Sequence, residues 1–259
     1  MSKEKAVAAG NSLLKVSGEN LMKENLWIVI PAYNEEKNIR TVIEQWHKIV
    51  EKTGEDSKIL LVNDGSTDQT REIALQLQKD YPRLLVETKK NGGHGAAVLY
   101  GYHWAIAHGA DYIFQTDSDG QTLPEEFWPL WKDRESAGLL LGSRRRRQDG
   151  MGRIVVTKTL KLIVFLNFGV WMEDINTPFR LMRSKELKKI LKLVPKDYHL
   201  ANVIISVLYK KSKRTVKYYP ITFRPRQGGK NSVNFRKICT MGRRALTEFY
   251  YMRKKYRKV

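Results

Sequence analysis

Cysteine is almost missing from this chain: Cys239 is the single one in 259 residues. One thiol excludes an internal disulfide framework and a cysteine-rich zinc site, and it agrees with a reducing compartment. Long apolar runs are missing too. The longest, Leu162 to Met172, is about eleven residues, short of the ~18 that would suggest a membrane-spanning helix. No transmembrane segment is therefore expected. The lead-in, residues 1–25, mixes Lys3, Lys5 and Lys15 with Glu4, Glu19 and Glu24 and lacks the compact apolar core of a signal peptide. Acids are scarce: 27 Asp+Glu stand against 47 Lys+Arg, a net charge of +20. Such an excess attracts polyanions, whether nucleic acid, an anionic membrane face or phosphorylated substrates. Zinc-finger spacing and RNP-like aromatic motifs are absent, which leaves a basic nucleic-acid-binding protein as the weaker reading and predicts no nucleic-acid partner.

What is present reads as a globular α/β chain, 42% hydrophobic and 10% aromatic. Leu26 to Ile30 is a continuous apolar run that ends at Pro31, and Asn34-Glu35-Glu36 opens a helix whose Ile39, Val42, Ile43, Trp46 and Ile49 recur at steps of three and four. The scheme repeats. Lys58 to Val62 leads to a turn at Asn63 to Asp68, Leu84 to Glu87 leads to Asn91-Gly92-Gly93-His94-Gly95, and Tyr112 to Phe114 leads to Asp117-Ser118-Asp119-Gly120-Gln121. Four strand-then-helix units predict a mostly parallel sheet flanked by helices, with right-handed crossovers. Ligands on such sheets sit beyond the carboxyl ends of the strands, where acids, amides and glycines gather here. Further strands are expected at Leu139 to Leu141 and Thr215 to Phe223, and a strand or turn into a helix at Phe179 to Leu193.

Asp117 and Asp119 are the sharpest chemical signal. Residues i and i+2 share a face while a strand stays extended, so both carboxylates can be aimed into one cleft. Two such charges repel unless a cation joins them, and hard oxygen ligands beside a phosphate suit Mg²⁺ or Mn²⁺. The plain alternative is a solvated Asp-Gly turn.

Four segments in order carry a resemblance. Ile30-Pro31-Ala32-Tyr33-Asn34-Glu35-Glu36, Val62-Asn63-Asp64-Gly65-Ser66-Thr67-Asp68, Asn91-Gly92-Gly93-His94-Gly95-Ala96-Ala97 and Thr116-Asp117-Ser118-Asp119-Gly120-Gln121 resemble the motifs of family-2 glycosyltransferases, inverting nucleotide-sugar enzymes of the GT-A fold. The likeness spans roughly residues 26–235. Gln121, Gly142-Ser143-Arg144 and Asp174 to Arg180 resemble the dolichol-phosphate mannose synthase branch, with Thr177-Pro178 where that branch has Ser-Gly. The Gln-x-x-Arg-Trp motif of processive polysaccharide synthases is absent.

The resemblance implies a Rossmann-like GT-A domain over 26–235, after the lead-in of 1–25 and before a basic amphipathic helix over 236–259. It implies a metal-dependent transfer of a hexose from a UDP- or GDP-linked donor to a membrane polyprenyl phosphate, with a sugar hydroxyl of a lipid-linked or surface glycan as the alternative acceptor. Pro31, Tyr33, Glu35, Asp64, Gly93, Gly95 and Asp117 are then expected around the donor nucleotide. Asp119 and Gln121 are expected on the metal, with Asp117 sharing it or holding the ribose. Asp174, Arg144 and Arg180 are the expected catalytic set. A hydroxyl acceptor would need Asp174 as general base; a phosphate acceptor is already anionic and would need cations, for which Arg144, Arg226 and Lys230 are the candidates. His94 reads as a nucleotide-side contact or plain surface. Trp27, Trp46, Trp128 and Trp131 read as packing.

Ile238, Met241, Ala245, Phe249, Met252 and Tyr256 recur at helical steps among Arg243, Arg244, Arg253, Lys254, Lys255, Arg257 and Lys258. A basic helix with such a stripe is suited to an anionic membrane interface. Ile154 to Met172 is either a second interfacial helix or a core helix. The location expected is cytoplasmic, attached peripherally to a membrane; the sequence leaves the oligomeric state open.

Overall fold

The computed structural model describes residues 24–144, 151–225 and 246–254; over 151–156 it describes the backbone alone. In chain order, strand β1 (Leu26–Ala32), helix α1 (Ile39–Val50), β2 (Lys58–Asn63), α2 (Thr70–Asp80), β3 (Leu84–Thr88), α3 (His94–Ala107) and β4 (Tyr112–Gln115) form the alternating half. The short α4 (Phe127–Lys132), β5 (Leu139–Ser143), α5 (Met151–Phe168), β6 (Arg180–Arg183), α6 (Ser184–Leu191), α7 (Ala201–Lys211) and β7 (Val216–Pro220) follow. Residues 246–254 form a terminal helix.

The seven strands make one sheet in the order β3-β2-β1-β4-β6-β5-β7. Pairing is parallel except for β6, which runs antiparallel between β4 and β5. Both faces of the sheet are covered, which is why β1 is buried at every position rather than alternating in polarity. The alternation shows instead in which side each residue serves. Trp27, Val29, Leu60, Val62, Ile113, Leu139, Leu141 and Met182 join one core with α3, α6 and α7. Leu26, Ile28, Ile30, Ile59, Leu61, Phe114, Leu140 and Leu181 join the other with α1 and α2. Successive side chains on a strand point to opposite faces, so one strand feeds two cores. Trp46 sits at the centre of the second core, its ring 5.2 Å from Phe114 and 6.1 Å from Phe179. Trp27 and Trp131 are buried, and Trp128 packs against the same core, so the packing reading of all four tryptophans holds.

Topology gathers the site. The carboxyl ends of β1, β2, β4, β5 and β7 share one edge of the sheet. Because β6 is reversed, its first residue, Arg180, pairs with Gln115 and Leu141 at that same edge. The segments after each of these strands, and the one before β6, therefore converge.

Two residues of the C-terminal stripe are described, and both face the protein rather than solvent. Phe249 and Met252 are buried in the first core, with the Phe249 ring 5.5 Å from that of Phe168 on α5. That face packs on the protein because a complementary aromatic waits there. Leu246, Tyr250 and Tyr251 are the exposed residues of this helix. Ile238, Met241, Ala245 and Tyr256 lie outside the described residues. Helix α5 divides likewise: Val164 and Phe168 are buried, while Leu162, Phe165 and Leu166 are exposed.

Candidate active site

A cleft of about 370 Å³ opens at the convergent edge. Pro31, Ala32, Tyr33 and Glu35 line it from the end of β1, and Asp64 from the end of β2. Asn91, Gly93, His94 and Ala97 line it from the entry to α3, and Asp117, Ser118 and Asp119 from beyond β4. Six of the seven residues expected around the nucleotide thus meet on one wall. β1 lies between β2 and β4, so Asp64 and Asp117 stand about two strand spacings apart, roughly 10 Å.

The wall is held by its own hydrogen bonds. Asn34, with φ of 56°, donates its backbone N–H to Ser66 Oγ at 3.1 Å and accepts from the Thr67 N–H at 2.9 Å, which locks the first turn onto the second. Glu35 donates its N–H to Thr70 Oγ1 at 2.7 Å and accepts from Asn38 Nδ2 at 2.7 Å. Asp64, almost wholly buried, accepts from the N–H groups of Gly92 (3.0 Å) and Gly93 (2.8 Å) and from Lys89 Nζ at 2.6 Å. The carboxylate thereby fixes the glycine turn. Gly93 takes φ of 85°, a left-handed conformation that L side chains rarely adopt.

Gly95 departs from expectation. A side chain there would strike the backbone carbonyls of Tyr198 and His199, so its bareness serves close packing of α3 and not approach to a ligand. It does not border the cleft.

His94 Nε2 lies 2.9 Å from Asp117 Oδ1. Burial alone would push the Asp117 carboxyl up, but His94, then Arg144 and Arg180, hold it below the usual carboxylate range. Burial would lower His94, and the Asp117 carboxylate outweighs it, so the imidazole is shifted up. The side chains are 51% and 31% exposed, so water screens the pair and its contribution to stability is small. The sequence favours a nucleotide contact or surface role for His94 over that of a catalytic base; its spacing from Asp117 in the chain gives no hint of this contact.

Asp117 and Asp119 face the same space, as a cation between them requires. Among the described residues no three His, Cys, Asp or Glu side chains form a metal set. Two carboxylates with room beside them suit Mg²⁺ or Mn²⁺, which keep waters and take substrate phosphates as further ligands. The fit is to an ion completed by its substrate. Gln121 is not on the cleft wall: its Nε2 donates to the Arg224 carbonyl at 2.8 Å and ties the segment after β7 to the Asp119 turn.

Beside this wall, Arg144 grips Asp174 with two parallel bonds of 2.7 and 2.8 Å, both side chains 9% exposed. The Arg144 guanidinium also lies 5.1 Å from the Phe223 ring. Asp174 thus has Arg144 as its ion-pair partner. Arg180 is fully buried behind the site. It donates to the Thr177 carbonyl twice (3.0 and 2.7 Å) and to the Asn202 carbonyl (3.0 Å). Burial lowers its affinity for its proton, opposed by Tyr102, Asp174 and Asp117. A side chain so enclosed cannot touch a substrate; Arg180 shapes the 174–179 segment. Arg226 and Lys230 lie outside the described residues. Lys89, which the sequence left unmarked because nothing distinguishes it from Lys90, supports the wall from behind through its bond to Asp64.

Comparison with known proteins agrees with this geometry. The family model described as Glycosyl transferase family 2 matches residues 27–199. The chain is 26% identical over 221 residues to the undecaprenyl-phosphate 4-deoxy-4-formamido-L-arabinose transferase of Pectobacterium atrosepticum, covering 84% of this chain and 65% of that protein. It therefore spans just under two thirds of that relative's length. It is 30% identical over 213 residues to the polyprenol monophosphomannose synthase of Mycolicibacterium smegmatis, covering 78% of each. The fold is similar to that of glucosyl-3-phosphoglycerate synthase from Mycobacterium tuberculosis, solved with Mn²⁺, UDP and glucosyl-3-phosphoglycerate, at a TM-score of 0.66 and 18% identity over 89% of this chain and 80% of the other.

Proposed function

The chain belongs to glycosyl transferase family 2, and on that footing we propose that it moves a hexose from a UDP- or GDP-linked donor to a polyprenyl phosphate, with inversion. The observation that carries this reading is the cleft that Asp64 and Tyr33 share with Asp117 and Asp119. The spacing of about two strands between Asp64 and Asp117, roughly 10 Å, supports a base at one end and a diphosphate at the other. Tyr33, about half exposed, is available to cover the base. Asp117 and Asp119 would hold Mg²⁺ or Mn²⁺. Such an ion neutralises the charge that builds on the departing diphosphate.

The Arg144–Asp174 pair favours a phosphate acceptor over a sugar hydroxyl. A general base needs a free oxygen near the proton it removes, and both Asp174 oxygens hold the guanidinium. A phosphate oxygen is already anionic. It attacks the anomeric carbon as the bond to the diphosphate breaks, and the electron pair leaves on the β-phosphate. With one edge of its guanidinium on Asp174, Arg144 keeps the Nη1 hydrogens and one on Nη2 to position such an acceptor. The two relatives, a transferase of undecaprenyl phosphate and a polyprenol monophosphomannose synthase by name, support the same acceptor class.

A lipid acceptor asks for a membrane surface. Among the described residues no helix is long and apolar enough to cross one. Of nine exposed large hydrophobic residues among those described, seven lie on α5, the turn after it and the terminal helix: Leu162, Phe165, Leu166, Trp171, Leu246, Tyr250 and Tyr251. Lys161 on α5 hydrogen-bonds the Glu173 carbonyl, which sets this face beside Asp174. Exposed aromatic and aliphatic groups with the basic Arg253 and Lys254 nearby suit peripheral attachment to anionic lipid.

The test is transfer from UDP- and GDP-hexoses with Mn²⁺ or Mg²⁺, with and without polyprenyl phosphate. Product on the lipid phosphate, reduced about 10²–10³-fold or more in Asp119→Ala, is expected. Transfer to glycan hydroxyls alone would replace this acceptor with the alternative one.

A further inference from the structure

The loop between α5 and β6 carries an exposed tryptophan near one end and the partner of Arg144 near the other. Resting on the polyprenyl-phosphate reading above, we infer that Glu173 in this loop is a positioning residue for a membrane-held acceptor: it fixes the height of Arg144 relative to the apolar face that rests on lipid.

The loop is tied to α5 along its length. Gly169, with φ of 67°, closes the helix by donating its N–H to the Phe165 carbonyl at 2.8 Å. The chain then turns back along the helix. Lys161, two turns or roughly 12 Å before Gly169, donates to the Glu173 carbonyl. Val170 and Met172 are buried in the first core, and Trp171 between them is exposed, its ring 6.0 Å from that of Phe165. Trp171 and the exposed side of α5 therefore form one unit.

Glu173 joins that unit to the site. Its Oε1 accepts the hydroxyl of Ser143 at 2.6 Å, and Ser143 is buried at the end of β5. The next residue on each side makes the Arg144–Asp174 pair. Two dipeptides, 143–144 and 173–174, are thus cross-linked by two adjacent side-chain contacts. Asp174 aims the guanidinium, and Glu173 holds the backbone that carries it. Trp171 precedes Asp174 by three residues, so their backbones are at most about 11 Å apart. Height matters for one kind of acceptor. A lipid phosphate stays in the headgroup plane, and the cation must stand where that plane lies. A soluble phosphate approaches from any height. Glu173 is itself an anion and would repel a phosphate, so its use is support and not contact.

The experiment is steady-state transfer by the full chain to two acceptors: long-chain polyprenyl phosphate in vesicles containing anionic lipid, and a short-chain, water-soluble isoprenyl phosphate. In Glu173→Ala and in Lys161→Met the KM for the vesicle acceptor is expected to rise about tenfold, the weaker end of what one charge-assisted hydrogen bond supplies. The kcat and the KM for the nucleotide sugar should not change. Glu173→Gln keeps an oxygen for the Ser143 hydroxyl and should restore most of the loss. The KM for the soluble acceptor should stay within about threefold of wild type, as for substitutions that touch no critical contact. The double variant should lose no more than the worse single one, because the two contacts lie in series. Equal losses on both acceptors would make Glu173 an ordinary support of the Arg144 site and overturn the inference. Effects of the two variants that multiply would overturn it as well. So would loss of vesicle flotation in Lys161→Met, since that lysine would then act on lipid. Failure of the wild type to transfer to either phosphate would remove the acceptor reading itself, and the inference with it.

Discussion

Asp174 gives both of its oxygens to one guanidinium, and this small fact divides the two acceptor chemistries. If the acceptor is a phosphate, Asp174 orients Arg144 and removes no proton. Asp174→Asn should then retain activity on polyprenyl phosphate to within about tenfold, whereas deleting a true general base lowers rate by about 10²–10⁴. Arg144→Lys keeps the charge and loses the planar fork. Loss of one charge-assisted hydrogen bond, worth about 1.5–3 kcal/mol, predicts a rise of roughly tenfold or more in the KM for the lipid phosphate. The KM for the nucleotide sugar should be unchanged, and steady-state kinetics with each substrate varied in turn checks both. Arg180 belongs to the same scale with a different role, for its three bonds go to backbone carbonyls.

At the scale of elements, α3 carries more of the site than any other helix. Its first turn presents His94, and the turn before it presents Asn91 and Gly93 and is held to Asp64 by the Gly92 and Gly93 N–H groups. The helix can lie where it does because Gly95 lets it approach the 198–199 backbone and Gly101 lets it approach Val29 and Val62 on the sheet. Gly95→Ala is expected to force α3 outward and to destabilise the protein by about 1–3 kcal/mol, the usual consequence of overpacking. Urea unfolding measures that change. Nucleotide affinity should fall in the same variant, because the displaced helix takes Gly93 and His94 with it.

For the whole molecule, the sheet edge and the two-helix face beside it set the cleft near an apolar surface. Buried Phe168 and Phe249 stitch α5 to the terminal helix, and their outer sides stay uncovered. Replacing Leu166 and Trp171, 65% and 63% exposed, by glutamate is expected to abolish most flotation with vesicles containing anionic lipid. Binding of UDP or GDP should be unaffected, since neither residue borders the cleft. Undiminished flotation of the double variant would move the attachment elsewhere on the chain.

The alternation of apolar runs with Asp-, Asn- and Gly-bearing turns was enough to read the parallel half of the sheet and the cleft's main wall. Each strand end there is a short local motif whose residues stay near one another in the chain. Sequence spacing could not reveal the reversed β6, which is what brings Arg180 to the edge from behind and sets Asp174 against Arg144. Nor could it reveal that Gly95 faces protein backbone, that Gln121 ties down the segment after β7, or that Phe249 and Met252 of the C-terminal stripe pack inward. These are contacts between segments distant in the chain, decided by which surface finds a complementary one, and periodicity records only that a face is apolar. Tertiary structure alone says whether such a face meets protein or is left for a membrane.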